Sequence, residues 1–367
     1  MRAKVTKSNI LPAITRAVSV ADRKSIVPIL SHVLLEFSAA GLCVKATDLD
    51  HSILETVSAD ISTFGSAVVP ATTLNDIIRK SPENAVLEFM LMDKGHKLAV
   101  VTGHSRFELS TLDPADFPAI STLKNTCNFN VKSSELSKLI SRTKFSISPE
   151  ESRHNLGGLY LHKEDSRLKA ASTDGHRLSV SHIETDIKEH LHGVIISKKT
   201  VGEVKKLLDM FTGEIALTFS ANQVQFSIGD VIFISKLVEG TFPDYKRVIP
   251  DASVDFFLVN RAAFSEIVDR VAVISDDKVR SLKLELNKNT LYFYAVNSKV
   301  GNARDEMEVV YSGPNWNAGF NAGYLLDVAQ TLPGEKLKIY VRDSLASILL
   351  TDESEPESIF VIMPMRI

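Results

Sequence analysis

The chain has 367 residues, 44% hydrophobic and 24% charged, an ordinary globular composition. Its formal charge of -3, from 42 Lys and Arg against 45 Asp and Glu, excludes a uniformly basic nucleic-acid-binding domain, so any such contact must come from local placement of charge. No apolar run approaches the ~18–20 residues that span a bilayer. Met1 to Asn9 leads into no signal-peptide core, and Cys43 and Cys127 belong to no Cys/His cluster. The expectation is a cytoplasmic protein of about two to three domains, with two buried thiols, no structural zinc and no membrane contact.

Along the chain the same order of elements returns three times, with a period of about one third of the length, which is a whole small domain. Each copy starts with an amphipathic helix. Ile10, Leu11 and Ile14 have counterparts in Leu136, Leu139 and Ile140, then in Phe264, Ile267 and Val268. Ser8, Ser133 and Asn260 stand near the starts as N-cap candidates. Paired strands follow at Leu34–Phe37 with Leu42–Lys45, at Leu159–Leu161 with Leu168–Ala170, and at Leu282–Leu286 with Leu291–Tyr294. Their alternation and short polar turns predict antiparallel hairpins.

Matching segments come next, at Thr47–His51, Thr173–Arg177 and Val296–Lys299. A second helix is predicted at Leu74–Lys80, Thr200–Met210 and Gly323–Leu332, and each copy closes on further strands. Phe117-Pro118 ends the first copy, Phe242-Pro243 the second, and Phe360–Pro364 the third. Polar stretches at Ser121–Asn128 and Lys246–Ser253 read as linkers. The class is therefore α+β, with predicted domains at 1–122, 129–247 and 254–367.

The chemistry of an enzyme is hard to find. No phosphate-binding G-x-x-x-x-G-K-[ST] loop, no G-x-G-x-x-G and no H-E-x-x-H occurs, and no nucleophile elbow marks a triad. Asp48, Asp50 and His51, or Asp174 with His176, have ligand chemistry, but so short a pattern arises often by chance. No metal, catalytic residue or cofactor is expected. Basic residues do recur on or beside the helices: Lys4, Lys7 and Arg16; Arg79 and Lys80; Lys132, Lys138, Arg142 and Lys144; Lys198, Lys199, Lys205 and Lys206; Arg261 and Arg270. Helices gathered on one side would give a positive face that meets phosphates without reading bases. The alternative is a set of solvated helix faces, and the helix at Gly323–Leu332 carries no Lys or Arg.

Thr173-Asp174-Gly175-His176-Arg177-Leu178 resembles the T-D-G-H-R-L signature of the bacterial DNA sliding clamps, the beta subunits of the replicative polymerase. Phe242-Pro243-Asp244-Tyr245 with Arg247-Val248 resembles their F-P-D-Y segment, and Val361–Ile367 their V-M-P-M-R-L ending. Asn155–Gly158 and Phe320–Tyr324 also match, so the resemblance runs the length of the chain. It implies a head-to-tail homodimeric ring of clamp domains. Each domain carries two helices on antiparallel sheets, and the helices line a hole that holds duplex DNA without sequence specificity.

The resemblance further implies a pocket for short peptide motifs of DNA polymerases and of a clamp-loader ATPase. One side would be Leu156, Thr173, Gly175, His176, Arg177, Leu178, Pro243, Arg247 and Val248. The other would be Asn321, Tyr324, Ser347, Val361, Ile362, Met363, Pro364, Met365 and Arg366. Taken alone, His176 reads as a turn residue and Val361–Met365 as a last core strand. DNA contacts would be Lys24, Arg79, Lys80, Lys138, Arg142, Arg153, Lys198, Lys199 and Lys205. The dimer seam would join Arg106, Phe107 and Leu109 to Val273 and Ile274 of a second copy, with Asp305 and Glu306 near Arg106. Lys299 and Arg304 stand where some members carry acidic residues, which weakens the charge pairing expected at that seam.

Two rival readings differ in class. A nucleic-acid hydrolase with repeated domains would need a cluster of carboxylates or a nucleophile with its base. A protein-interaction scaffold without DNA would show no salt-sensitive retention on circular DNA.

Overall fold

The structure, a computed structural model, describes residues 1–123, 127–150, 152–185, 187, 191–250, 255–275 and 279–366. Six α-helices are formed among them: α1 (Lys7–Val20), α2 (Ala71–Lys80), α3 (Ser133–Thr143), α4 (Lys198–Asp209), α5 (Arg261–Ala272) and α6 (Ala322–Thr331). All six predicted helices are present, each one starting a few residues earlier or ending within a turn of the expected limit. Asn260 caps α5 by accepting from the Ala263 amide at 3.0 Å. Ser8 and Ser133 do not cap. Ser8 lies inside α1 after Thr6, and the Ser133 hydroxyl donates to the Phe211 carbonyl at 2.9 Å.

The chain packs into two compact units, and the middle repeat is divided between them. The first comprises Met1–Ser134 with Gly202–Leu237. It holds a 5-stranded antiparallel sheet ordered Asp60–Thr63, Arg2–Thr6, Val86–Met92, Lys97–Thr102 and Ser105–Ser110. A longer sheet runs from Gly65–Pro70 through His32–Ser38, Gly41–Thr47 and His51–Val57 into Val231–Val238, Gln223–Ile228, Glu214–Phe219 and Cys127–Lys132. The join is the pairing of Ile53 with Phe233, where the first repeat hands its sheet to the second. α1 and α2 pack together above a core that includes Ile10, Ile14, Leu35, Leu74 and Phe89, all fully buried. Lys7 is also buried. Its ammonium donates to the Arg79 and Ser81 carbonyls at 3.1 and 2.8 Å, at the end of α2 where a positive charge is favoured.

The second unit comprises Glu135–Val201 with Val238–Ile367. Its long sheet runs Val194–Ser197, Gly158–Glu164, Arg167–Thr173, Arg177–Glu184, then Glu355–Ile362, Ile348–Asp352, Lys336–Tyr340 and Phe256–Asn260. Here the join is Val180 with Ile359. A 4-stranded antiparallel sheet, Gly301–Glu308, Thr290–Asn297, Ser281–Asn287 and Trp316–Asn321, covers α5 and α6 with a core of Phe264, Leu284, Phe293, Phe320 and Leu325.

The recurring turns share one device. Asp48 Oδ1 accepts from the Asp50 and His51 amides, and Asp174 Oδ1 from those of His176 and Arg177. Asn297 Oδ1 accepts from Lys299. The two carboxylates and the Asn297 amide oxygen each hold a turn. The residue after each Asp has positive φ: 89° at Gly175, where the lack of a Cβ permits it, and 75° at Leu49, where it strains the backbone. Cys43 and Cys127 are half-buried rather than buried. Among the described residues no helix is long and apolar enough to cross a membrane.

Candidate peptide pocket and charged surfaces

In the second unit the turn at Thr173–Arg177, the 3-10 turn Tyr245–Val248 and the strand Glu355–Ile362 meet around a cavity of about 170 Å³. Its walls are Leu156, Thr173, Gly175, Arg177, Leu178, Pro243, Asp244, Tyr245, Val248, Val361 and Met363. Strand pairing brings these distant segments together. Leu178 lies opposite Val361, and the Met363 amide donates to the His176 carbonyl at 2.8 Å. Below them Ala171, Leu178, Val180, Ile195, Phe242, Tyr245, Leu349 and Val361 form a continuous apolar floor. The cavity is smaller than the ~300–1,000 Å³ usual for small-molecule sites, and its lining is apolar. It has room for one or two aliphatic side chains, each worth roughly 1.5–3 kcal/mol on burial.

The expected wall residues divide in two. Leu156, Thr173, Gly175, Arg177, Leu178, Pro243, Val248, Val361 and Met363 line the cavity. Ile362 does not. A strand alternates its faces, so Val361 and Met363 point one way while Ile362, fully buried, points into the core beneath α5 and α6. Asn321 is occupied as the cap of α6, accepting from Gly323 and Tyr324, and it also donates to the Val279 carbonyl at 3.2 Å. Tyr324 packs against the same core and lies under the Arg177 guanidinium at 4.3 Å. Burial, with the Asp174 carboxylate nearby, pushes its hydroxyl pKa up. His176 is exposed beside the cavity, and Arg247 is exposed and paired with Asp244 at 2.8 Å. Met365 pairs with Gly319 through its backbone, and Ser347, Pro364 and Arg366 lie outside the lining.

Arg177 is the fastener of this corner. Its Nε donates to Asp174 at 3.0 Å, and its terminal nitrogens to Asp327 at 2.5 Å and to the Phe145 carbonyl at 2.5 Å. It therefore ties the signature turn to α6 and also lines the cavity. Arg153 reaches over the turn, with one nitrogen 3.4 Å from the Asp174 carbonyl. A Cβ at Gly175 would sit 3.0 Å from that guanidinium. Sequence reasoning missed Asp244 and Tyr245 as wall residues, although both lie inside the F-P-D-Y motif.

The expected DNA contacts fare unequally. Lys24, Lys80, Lys198 and Lys199 are exposed. Arg79 pairs with Asp76 at 2.7 Å, and Arg153 with Glu150 at 3.1 Å, both still exposed. Lys205 pairs with Asp209 one turn on, and Lys138 reaches Glu355 and Glu357 at 3.0 and 2.6 Å. Arg142 is the least open of them. Its side chain is 13% exposed, bound to Glu355 at 2.5 and 2.7 Å and to the Thr331 carbonyl, an ion pair within the chain.

At the expected seam, Ser105–Ser110 is the outermost strand of its sheet. Phe107 is exposed, Leu109 is buried, and Arg106 is paired with Glu108 at 3.2 Å. Gly301–Glu308 is likewise outermost in its own sheet. Val273 is 78% exposed, Ile274 packs partly on the core, and Asp305 is held by Arg270 at 2.6 Å within the chain.

Comparison with known proteins covers the whole chain. Residues 1–121, 130–244 and 246–366 match the N-terminal, central and C-terminal domains of the DNA polymerase III beta subunit. The Beta sliding clamp of Caulobacter vibrioides is 35% identical over 372 residues, covering 100% of both chains. That of Pseudomonas aeruginosa is 32% identical over 369 residues, again covering 100% of both. A crystal structure of the sliding clamp from Bartonella birtlesii bound to griselimycin superposes with a TM-score of 0.96 at 36% identity over 100% of each chain. The DNA polymerase III subunit beta from Pseudomonas aeruginosa superposes at 0.95 and 32% over the same coverage. The chain therefore belongs to the DNA polymerase III beta subunit family, the bacterial sliding clamps, which are processivity factors without catalytic activity.

Proposed function

We propose that two copies of this chain close head-to-tail around duplex DNA in the cytoplasm and hold polymerases to it by short peptide motifs, which also serve the clamp-loader ATPase. The domains would fall near 1–122, 129–247 and 254–367. The seam would use the Phe107 edge and the exposed Val273 with Ile274. Exposed cations such as Lys24, Lys80, Arg153 and Lys198 would meet phosphates without reading sequence. With no phosphate loop in the chain, the energy for opening the ring would come from the separate ATPase.

The observation that carries the reading is the apolar cavity among Leu178, Val248, Val361 and Met363, sized for small aliphatic or aromatic anchors. Two anchors at roughly 1.5–3 kcal/mol each, less the ordering of the peptide, give weak and exchangeable binding. The flexible Met363 lets one cavity accept different partners. That griselimycin binds the Bartonella birtlesii relative supports a ligand-accepting surface in the family.

The test is a fluorescence titration with a labelled Gln-Leu-Ser-Leu-Phe peptide. Saturable binding near ~1 μM or weaker, reduced about tenfold by Met363→Ala, is the expected result. A folded chain that binds nothing would remove the pocket reading.

A further inference from the structure

We infer that His162, a residue outside the cavity, is a positioning residue that sets the cavity's Tyr245 wall through a single side-chain bond. The inference rests on the pocket reading above. The wall is the segment Phe242–Val248, which has no strand partner of its own among the described residues and lies against the face of the strand Gly158–Glu164. Alternate residues of a strand share a face, so Tyr160, His162 and Glu164 form one row. Each meets one residue of the wall. Phe242 stacks on Tyr160 at 4.8 Å with planes 1° apart. The Tyr245 hydroxyl bonds to His162 Nε2 at 3.1 Å, and Lys246 pairs with Glu164.

The three contacts are not equal. Lys246 and Glu164 are 57% and 32% exposed, and a surface pair of that kind contributes little. The Phe242–Tyr160 stack fixes distance but slides easily in its own plane. It is also backed closely, since a Cβ at Gly193 would fall 2.0 Å from the Tyr160 hydroxyl. Only the His162–Tyr245 bond is both directional and shielded. His162 is stacked on Tyr160 at 4.7 Å and meets Tyr245 edge-on at 5.8 Å. Among the described residues its Nδ1 is buried without a hydrogen-bond partner, so no second bond from them holds the ring in place. The hydroxyl of Tyr245 thus anchors a residue that also lines the cavity. A ring that is free to turn would change the space between Leu178, Val248 and Met363.

The experiment is the same peptide titration on the full-length chain with Tyr245→Phe, His162→Leu, the pair together and His162→Gln. Tyr245→Phe removes one oxygen and leaves no cavity, so it keeps the fold. Removing the bond from either side is expected to weaken peptide binding about three- to tenfold, and the double variant no further than the worse single. His162→Gln, which can still bond at that distance, is expected to restore affinity to within about twofold. Should Tyr245→Phe bind as wild type does, or the two losses multiply, the bond does not set the wall and the inference falls. No binding by wild type would instead remove the pocket reading and this inference with it.

Discussion

Arg142→Ala separates an internal role for this helix residue from a DNA-facing one. Glu355 is 8% exposed and takes two hydrogen bonds from the Arg142 guanidinium, which is itself 13% exposed. Deleting one partner of such a pair leaves a buried charge uncompensated, at a cost of about 3–5 kcal/mol. Lys138 remains 3.0 Å from Glu355, which argues for the lower end of that range. The Thr331 carbonyl at the end of α6 also loses its donor. At about 2–4 °C per kcal/mol for a unit of this size, melting should fall by roughly 6–12 °C. Replacing both Arg142 and Glu355 by apolar residues should recover most of the loss, since no charge is then stranded. The assays are thermal melting by circular dichroism and DNA retention against salt. A melting point within a degree of wild type, together with a salt slope shallower by about one, would refute the internal assignment and restore the phosphate contact.

Other outcomes follow from equally local geometry. Leu49 holds φ at 75°, so Leu49→Gly should stabilise the first unit by about 1 kcal/mol despite the entropy of glycine, which a melting curve would register; a loss would show that the side chain is packed. Gly175→Ala meets both a φ of 89° and the Arg153 guanidinium, and should lower stability and peptide affinity together. Asn260→Ala removes the cap of α5 and should cost about 1 kcal/mol in denaturant unfolding. Burial, opposed by Glu164, lowers the His162 pKa from 6.5 to about 4. The unfolded chain therefore binds more protons in that window. Its stabilising contribution is complete above pH 6.5 and is lost as pH falls towards 4. His182 is lowered in the same direction, chiefly by burial, so His162→Gln should flatten the pH dependence of melting in part; an unchanged profile would place the His162 ring in solvent.

What could be read from the sequence was local. Hairpins such as Leu282–Leu286 with Leu291–Tyr294 announce themselves by alternation and a polar turn, whereas Asp48 and Asp174 read only as parts of matching segments until their bonds to the following amides were seen. The Leu178, Val361 and Met363 wall was legible through motifs, but the pairing of Leu178 with Val361 is a contact between residues far apart in the chain. The parity of that strand, which turns Ile362 into the core, is fixed by this pairing and not by composition. The pairings of Ile53 with Phe233 and of Val180 with Ile359, which carry each long sheet from one repeat into the next, had no local signal at all. A basic residue on a helix gave no hint of its partner either. Lys7 satisfies carbonyls at the end of α2 and Arg142 meets a glutamate from the last strands, so a count of basic residues does not say which of them are left to solvent. Tyr245 was passed over because its hydrogen-bond partner, His162, lies on a strand far from it in the chain.

The most direct measurement is topological. The chain is assembled on nicked circular DNA with a clamp loader and ATP, passed through a sizing column at high salt, and the circle is then cut once. A ring stays with the circle through the salt and leaves when the ends are freed, because it is held by linkage and not by contacts that salt releases. Loss from the intact circle in high salt, or equal retention before and after cutting, would contradict the account.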